Sequence, residues 1–384
     1  MQFHLILPQQ IIFRDGIITE VPTWCKGFGR RICLVTGTSA SVYRLLEDSL
    51  TASHHEVLKI VITREPTLQD LERAVEKARD FTADCIVGIG GGSVLDSAKA
   101  IGIMVANPGD LMDYIEVVGL GQTLKNPSIP VIALPTTAGT GSEVTRNAVL
   151  SVPEQKVKAS LRSPFMVPRI AAIDPQLTIT MPPEVTARTG MDALTQLIEP
   201  YLSRRSNVMT DLYCREGIPL AASALLRAYQ NGEDLEARRK MSYASLLGGL
   251  ALANAGLGAV HGLAGPIGGM FPAPHGAICA RLLPAVIREN YTVIKARMPN
   301  HPLLHRFQEI AQWVTGNRSA GVGDLVDHLL GLCALLHIPG LRDFGVNEGD
   351  LDEIVIKGIA ASSMKANPVE LDHESLRRIL AESL

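Results

Sequence analysis

Four side chains in the second half of the chain have types and spacings suited to holding a divalent cation. Asp192 and Gln196 lie four apart in a helical stretch, residues 190–199, so a carboxylate and an amide oxygen share one face. His261 and His275 follow, separated by a segment rich in glycine and proline, and imidazole suits iron or zinc. His261 falls in a helical pattern and His275 just past a proline turn, with Gly262 and Gly276 beside them leaving room for a ligand. The same residues also have a plainer reading. A histidine in an apolar stretch is usually a hydrogen-bonded core residue, and Glu199, on the Asp192 face, fits a buried or interface acid equally well. The other eight histidines have no partner spacing and read as surface or structural groups.

A second kind of chemistry is suggested in the first half. Gly88-Ile89-Gly90-Gly91-Gly92-Ser93 follows a strand-like run and opens a helical one, an arrangement that brings backbone N–H groups and the positive helix end to a phosphate. The spacing is not that of the simple G-x-G-x-x-G fingerprint, and alone such a cluster is as often a tight connection. Pro135-Thr136-Thr137-Ala138-Gly139-Thr140-Gly141-Ser142-Glu143 follows another apolar strand. Hydroxyls and glycines at the carboxyl ends of two strands suit ligand binding by an open α/β sheet.

Elements that would position these groups are legible as a change of rhythm. Up to about residue 180, short β-branched runs (32–36, 58–62, 85–89, 131–134 and 170–173) alternate with amphipathic segments, predicting a mostly parallel sheet flanked by helices. Both 32–36 and 58–62 read as buried strands. Thr67 with Asp70 suits a helix start, and Leu68, Leu71, Val75, Ala78 and Phe81 form its apolar stripe. A helix is also expected over 93–105. From Pro182 onward long Ala/Leu-rich segments predict helices over 184–203, 209–230, 235–255, 278–296, 305–314 and 323–336. The expected division is a dinucleotide-binding α/β domain, residues 1–180, and an all-α metal and substrate domain, residues 181–384.

Bulk properties narrow the function further. The chain has 384 residues, 46% of them hydrophobic and 20% charged, which fits well-cored domains rather than disorder. A net charge of -3 with scattered Lys and Arg gives no basic field for nucleic acid or an anionic membrane. None of the six cysteines forms a C-x-x-C pair, so they read as isolated reduced thiols. Pro8 and two glutamines interrupt the first apolar stretch, which is not signal-like, and a cytoplasmic location is expected. The apolar run 246–270 is punctuated by glycines and His261 and reads as buried core.

Taken in order, the strings GIGGGSVLDSAKA (88–100), PTTAGTGSEVT (135–145), GMDALTQLIEPYLS (190–203) and AVHGLAGPIGGMFPAPHG (259–276) resemble the iron-containing, group III alcohol dehydrogenases. The likeness extends to a Leu7-Pro8 strand and to Lys365-Ala366-Asn367-Pro368, and so covers essentially the whole chain. It implies a dehydroquinate synthase-like architecture, with catalysis in the cleft between two domains, and a homodimer. It implies that Gly91, Gly92, Ser93 and Asp96 border the cofactor pyrophosphate with Thr136, Thr137 and Thr140 nearby. Lys158 matches the family's lysine at the nicotinamide ribose. Asp192, Gln196, His261 and His275 fall on its four metal-ligand positions.

The chain departs from the family at two of these places. The second ligand is usually histidine and here is Gln196, a poorer donor for Fe(II) or Zn(II). A histidine often found four residues after the third ligand is here Gly265, which removes a proton relay and widens the pocket. NAD-specific relatives tend to carry an acidic residue after the strand ending at Thr36. Here Gly37-Thr38-Ser39-Ala40-Ser41 has no carboxylate and Arg44 follows, which favours NADP without excluding NAD.

The reaction expected is reversible hydride transfer between a nicotinamide and a small alcohol or aldehyde. A metal would act as Lewis acid, or His261 or His275 would donate the hydrogen bond or proton. Three alternatives stay open. One is a metal-independent reductase of a polar keto or enoyl acid, similar to maleylacetate reductases. Another is a dehydroquinate synthase-like lyase using NAD transiently, and the last is a nucleotide-binding relative without catalysis.

Overall fold

The computed structural model describes residues 3–38, 41–116, 118–155 and 157–384, so Ser39 of the expected cofactor segment lies outside the described residues. Two compact units emerge. One comprises Ile6–Thr137 and Gly141–Thr180; the other comprises Met181–Leu384, a few N-terminal residues and Ala138–Thr140.

The first unit runs β1 (Gln10–Phe13), α1 (Val21–Cys25), β2 (Arg31–Thr36), α2 (Ser41–Ala52), β3 (Glu56–Val61), α3 (Leu68–Asp80), β4 (Cys85–Gly90), α4 (Gly92–Ala106), α5 (Leu111–Tyr114), β5 (Val131–Pro135), β6 (Asn147–Val152), β7 (Val157–Arg162) and β8 (Ile170–Ile173). Six strands form one parallel sheet in the order β1-β8-β5-β4-β2-β3. Because strand side chains alternate in direction, β2 sends Cys33 and Val35 into one core, with α3 and α4, and Ile32 and Leu34 into the other, with α1 and α2. A fully buried side chain of this kind contributes roughly 1.5–3 kcal/mol, so burial on both faces, not strand propensity, keeps β2 and β4 inside the sheet rather than at its edge.

Strand β3 corrects the reading of 58–62 as a buried strand. It is the sheet edge, with only Ile60 buried, because nothing pairs beyond it. Helix α3 begins as expected: the Thr67 hydroxyl accepts from the Asp70 amide at 3.2 Å and the Asp70 carboxylate from the Thr67 amide at 3.3 Å. The antiparallel pair β6–β7 was not signalled by the sequence pattern.

Sequence order makes β2–β4 the place where the sheet reverses direction. The chain leaves β2 for β3 on one side, then returns to place β4 on the other side of β2 and β5 beyond it. Loops leaving the carboxyl ends of such neighbours diverge and open a ligand-sized crevice.

The second unit is helical: α6 (Pro183–Leu202), α7 (Val208–Gln230), α8 (Leu235–Ala255), α9 (Ala259–Met270), α10 (His275–Arg297), α11 (Leu303–Thr315), α12 (Val322–Leu335), α13 (Leu351–Ala360) and α14 (His373–Ser383). Every residue from Gly190 to Leu202 is buried, because α7, α8 and α10 all pack on α6. The apolar run 246–270 divides into α8 and α9, which meet at 99°. No single described helix is long and apolar enough to cross a membrane.

Candidate active site

Helix α6 presents Asp192, Gln196 and Glu199 from successive turns, α9 presents His261, and α10 presents His275 and Cys279. The candidate ligand atoms of Asp192, His261, His275 and Cys279 all lie within 4.8 Å of one another. Asp192 Oδ1 is 3.4 Å from His261 Nε2 and 3.8 Å from His275 Nε2. Gln196 Nε2 donates to Asp192 Oδ2 at 3.0 Å, which turns the other carboxylate oxygen toward the imidazoles.

Close backbone contacts hold the three helices in register. A Cβ on Gly276 would meet the Arg188 carbonyl oxygen at 2.2 Å, so the start of α10 sits directly against α6. One on Gly258 would lie 2.8 Å from Glu199 Oε1. That contact lets Glu199 reach the first turn of α9, where Oε1 accepts from the Val260 amide at 2.8 Å. Glu199 Oε2 then receives His261 Nδ1 at 2.6 Å, leaving Nε2 directed at Asp192. Asn367, from the Lys365–Pro368 string, accepts from the Ala259 amide at 3.0 Å and completes the cap of α9. Glu199 is therefore the group that orients the third ligand candidate, in the manner of an outer-shell carboxylate on a metal-binding histidine.

The electrostatics suit a cation. Burial opposes ionisation of Asp192, yet the His261 and His275 imidazoles outweigh it and hold its carboxyl below the usual range. Burial likewise opposes charge on His261, but its acidic neighbours, Glu199 and Asp192 among them, raise its pKa well above the ordinary value. Burial pushes the Cys279 thiol up to about 12. Two buried oxygens, Asp192 Oδ1 and Gln196 Oε1, have no hydrogen-bond partner. A buried oxygen without a hydrogen bond costs roughly 1–3 kcal/mol, and Asp192 Oδ1, facing both imidazoles, fits a cation that would receive it. His275, whose side chain is 36% exposed against 6% for His261, forms the open side. A Cβ at Gly265 would meet nothing within 4 Å.

In the sheet unit, Gly37 and Thr38 follow β2, Gly91 to Ser93 follow β4, and Thr136 and Thr137 follow β5, on three adjacent strands. Helix α4 has no side-chain cap on its first turn, leaving that end to a ligand. The glycine string divides its labour. Gly88 and Gly90 let α4 pack on the sheet, since a Cβ there would strike Ala98 and Val94, and Gly91 faces the Thr137 side chain.

Three expected cofactor residues stand differently. Thr140 belongs with the helical unit. Asp96 accepts from Ser142 Oγ and from the Val149 amide and pairs with the buried Lys99 at 3.1 Å. Lys158, on β7, pairs with Glu65 at 2.7 Å. All six cysteines are free and buried, but Cys279 is not isolated; it sits one turn after His275. The i, i+4 spacing that drew attention to Asp192 and Gln196 applies equally to His275 and Cys279.

Comparison with known proteins completes the picture. Residues 8–175 match the family model of iron-containing alcohol dehydrogenase, and 186–384 match that of the Fe-containing alcohol dehydrogenase family, C-terminal. The chain is 34% identical to 1,3-propanediol dehydrogenase of Citrobacter freundii, covering 99% of this chain and 98% of that one. It is 30% identical to NAD-dependent methanol dehydrogenase of Bacillus methanolicus, over 99% and 100% respectively. The solved structure of sulfoacetaldehyde reductase from Bifidobacterium kashiwanohense in complex with NAD+ superposes with a TM-score of 0.86 at 28% identity, covering 100% of this chain and 99% of that one.

Proposed function

The chain belongs to the iron-containing alcohol dehydrogenase family, and on that premise we propose a division of labour between its two sets of residues. It is an oxidoreductase acting on alcohols and aldehydes with a nicotinamide cofactor, NAD being the one named for the methanol dehydrogenase and bound in the sulfoacetaldehyde reductase. The observation that carries the reading is the convergence of Asp192, His261 and His275, with Asp192 Oδ1 buried between the imidazoles and making no hydrogen bond.

Asp192, His261 and His275 would hold a divalent cation, iron being the family's. When bound, the cation supplies electrophilic polarisation of the substrate oxygen, and the nicotinamide supplies or accepts the hydride at C4. The residues do the rest. Glu199 keeps His261 in one orientation and tautomer. Gln196 fixes the Asp192 carboxylate. Without a bound cation, His275, on the open side, would be the group placed to hydrogen-bond an entering hydroxyl or carbonyl. Gly265 leaves space there for a side group on the substrate. Gly91 to Ser93, with Thr136 and Thr137, offer backbone amides and hydroxyls to the pyrophosphate.

Cofactor choice follows from the segment after β2. It carries no carboxylate, Thr38 is exposed and Arg44 is exposed on α2, so nothing repels a 2′-phosphate. We propose that NADPH is accepted alongside NADH and preferred, in a homodimeric cytoplasmic enzyme.

The test combines metal analysis of the purified chain with NADH and NADPH oxidation against an aldehyde panel. Near-stoichiometric metal, with turnover lost on chelation and restored by Fe(II) or Zn(II), is expected. Full turnover in metal-free protein would move the chemistry onto His275 and favour the metal-independent reductase. A kcat/KM for NADH well above that for NADPH would overturn the cofactor preference.

A further inference from the structure

The metal-site positions contain a substitution and a newcomer. Gln196 occupies a ligand position, yet its amide nitrogen is spent on Asp192 Oδ2 and its role in the structure is to aim the opposite carboxylate oxygen. Cys279, fully buried, places its Sγ 3.6 Å from His275 Nε2 and 3.8 Å from His261 Nε2. A tetrahedral ion with N, O and S bonds of about 2.0–2.3 Å sets its donors roughly 3.3–3.8 Å apart. The Asp192–His261, Asp192–His275, Cys279–His261 and Cys279–His275 separations are 3.4, 3.8, 3.8 and 3.6 Å. These four of the six edges have the lengths of such a tetrahedron, and all four donor atoms lie within 4.8 Å of one another. Asp192 Oδ1, in a residue only 2% exposed, makes no hydrogen bond, a further sign that something belongs at the centre.

Resting on the reading that this cluster holds a divalent cation, we infer that Cys279 is the fourth ligand, supplying a thiolate in place of Gln196. Binding forms a metal–sulfur bond and breaks the S–H bond, with the proton released to solvent. The donor set becomes Asp192, His261, His275 and Cys279, a softer set than carboxylate, imidazole and amide, and one suited to zinc or cobalt. Gln196 becomes a positioning residue for Asp192.

The test uses cobalt as an optical probe of sulfur ligation and needs no turnover. The full chain, stripped with chelator, is titrated with Co(II) and read in the near-ultraviolet, where thiolate-to-cobalt charge transfer absorbs. A band saturating at one equivalent is expected, absent in Cys279→Ala and retained in Gln196→Ala. Cys279→Ala should weaken Zn(II) binding on the order of 100-fold or more, since even outer-shell changes cost about 10–100-fold. Circular dichroism and nucleotide binding check that each variant is folded. X-ray absorption at the zinc edge of the unaltered protein gives a second readout, with a sulfur scatterer near about 2.3 Å expected.

A metal that binds without charge transfer or a sulfur scatterer would overturn the inference and leave the proposed function intact, as would a band that survives in Cys279→Ala. Failure of any metal to bind would overturn both the inference and the metal-assisted reading. Turnover of metal-free protein would then separate the metal-independent reductase from an inactive relative.

Discussion

Two of the buried polar clusters among the described residues, one in each unit, are finished to different degrees. In the sheet unit, Lys99 is fully buried and its ammonium meets three partners: Thr145 Oγ1 at 2.8 Å, the Asn147 carbonyl at 2.5 Å and Asp96 at 3.1 Å. Asp96 spends its two oxygens on Ser142 and Val149 as well. This cluster staples α4 to the start of β6, and each donor of Lys99 is used. In the helical unit, Asp192 and Gln196 are just as buried, but each keeps an oxygen without a hydrogen bond. Burial and charge are common to both clusters. What separates them is that the unsatisfied oxygen of Asp192 lies among imidazole and thiol donors able to share a cation.

Breaking the unfinished cluster should cost function rather than fold. Asp192→Ala is expected to lower kcat/KM on the order of 1,000-fold, the loss of several kcal/mol of electrophilic assistance, while the melting temperature holds or rises. A variant that loses stability and keeps its turnover would reverse the assignment. Breaking the finished cluster should do the opposite. Lys99→Met strands Asp96, and removing one partner of a buried pair costs about 3–5 kcal/mol. Denaturant unfolding measures that loss, and turnover per folded molecule should stay close to the parent value.

Glu143 sharpens the comparison, since it sits beside Lys99 without being paired to the same degree. Burial raises its carboxyl from the model-compound value of 4.5 to about 7, which the Lys99 charge only partly offsets. Between those values the folded chain keeps a proton that the unfolded chain releases, so stability declines as pH rises through the window. The full contribution is roughly 3 kcal/mol, present below the unfolded value and gone above about pH 7. Glu143→Gln should flatten that decline in unfolding free energy against pH, and an unchanged slope would assign it elsewhere. The smallest effect belongs to Glu199→Gln. It leaves the ligands in place but weakens the hold on His261, and should loosen metal about 10–100-fold. Equilibrium competition with a chelating dye reads this directly, and unaltered affinity would make Glu199 a helix cap only.

Much of this was legible in the sequence where a pattern is local. The Thr67/Asp70 capping box, the buried strand 85–90 and the helix 235–255 each rest on neighbours within a few residues. Asp192, His261 and His275 were recognisable by type and place. What escaped depends on distant partners. Glu199 could not be separated from a bland acid, because the histidine it orients is 62 residues away. Asp96 borders the glycine loop in the sequence, but its oxygens are claimed by Ser142 and by Val149 of a hairpin, 46 and 53 residues on. That hairpin, β6–β7, hides because half its residues face outward and blur the apolar signal. Strand β3 has the composition of an interior strand but lies where the sheet ends. Cys279 has no C-x-x-C partner in the sequence, because its neighbour in the fold is the histidine one turn earlier.

The space beside Gly265 has a consequence for how this enzyme can be changed. Around the cluster, Gly258 and Gly276 are closed to any side chain, because the atoms they would strike belong to Glu199 and to the α6 backbone. At Gly265 a Cβ would meet nothing within 4 Å. A randomised library at 276 is therefore expected to lose more clones to misfolding than one at 265. For drift in nature or selection in the laboratory, 265 is the glycine of the three that accepts a Cβ with no compensating repacking required first.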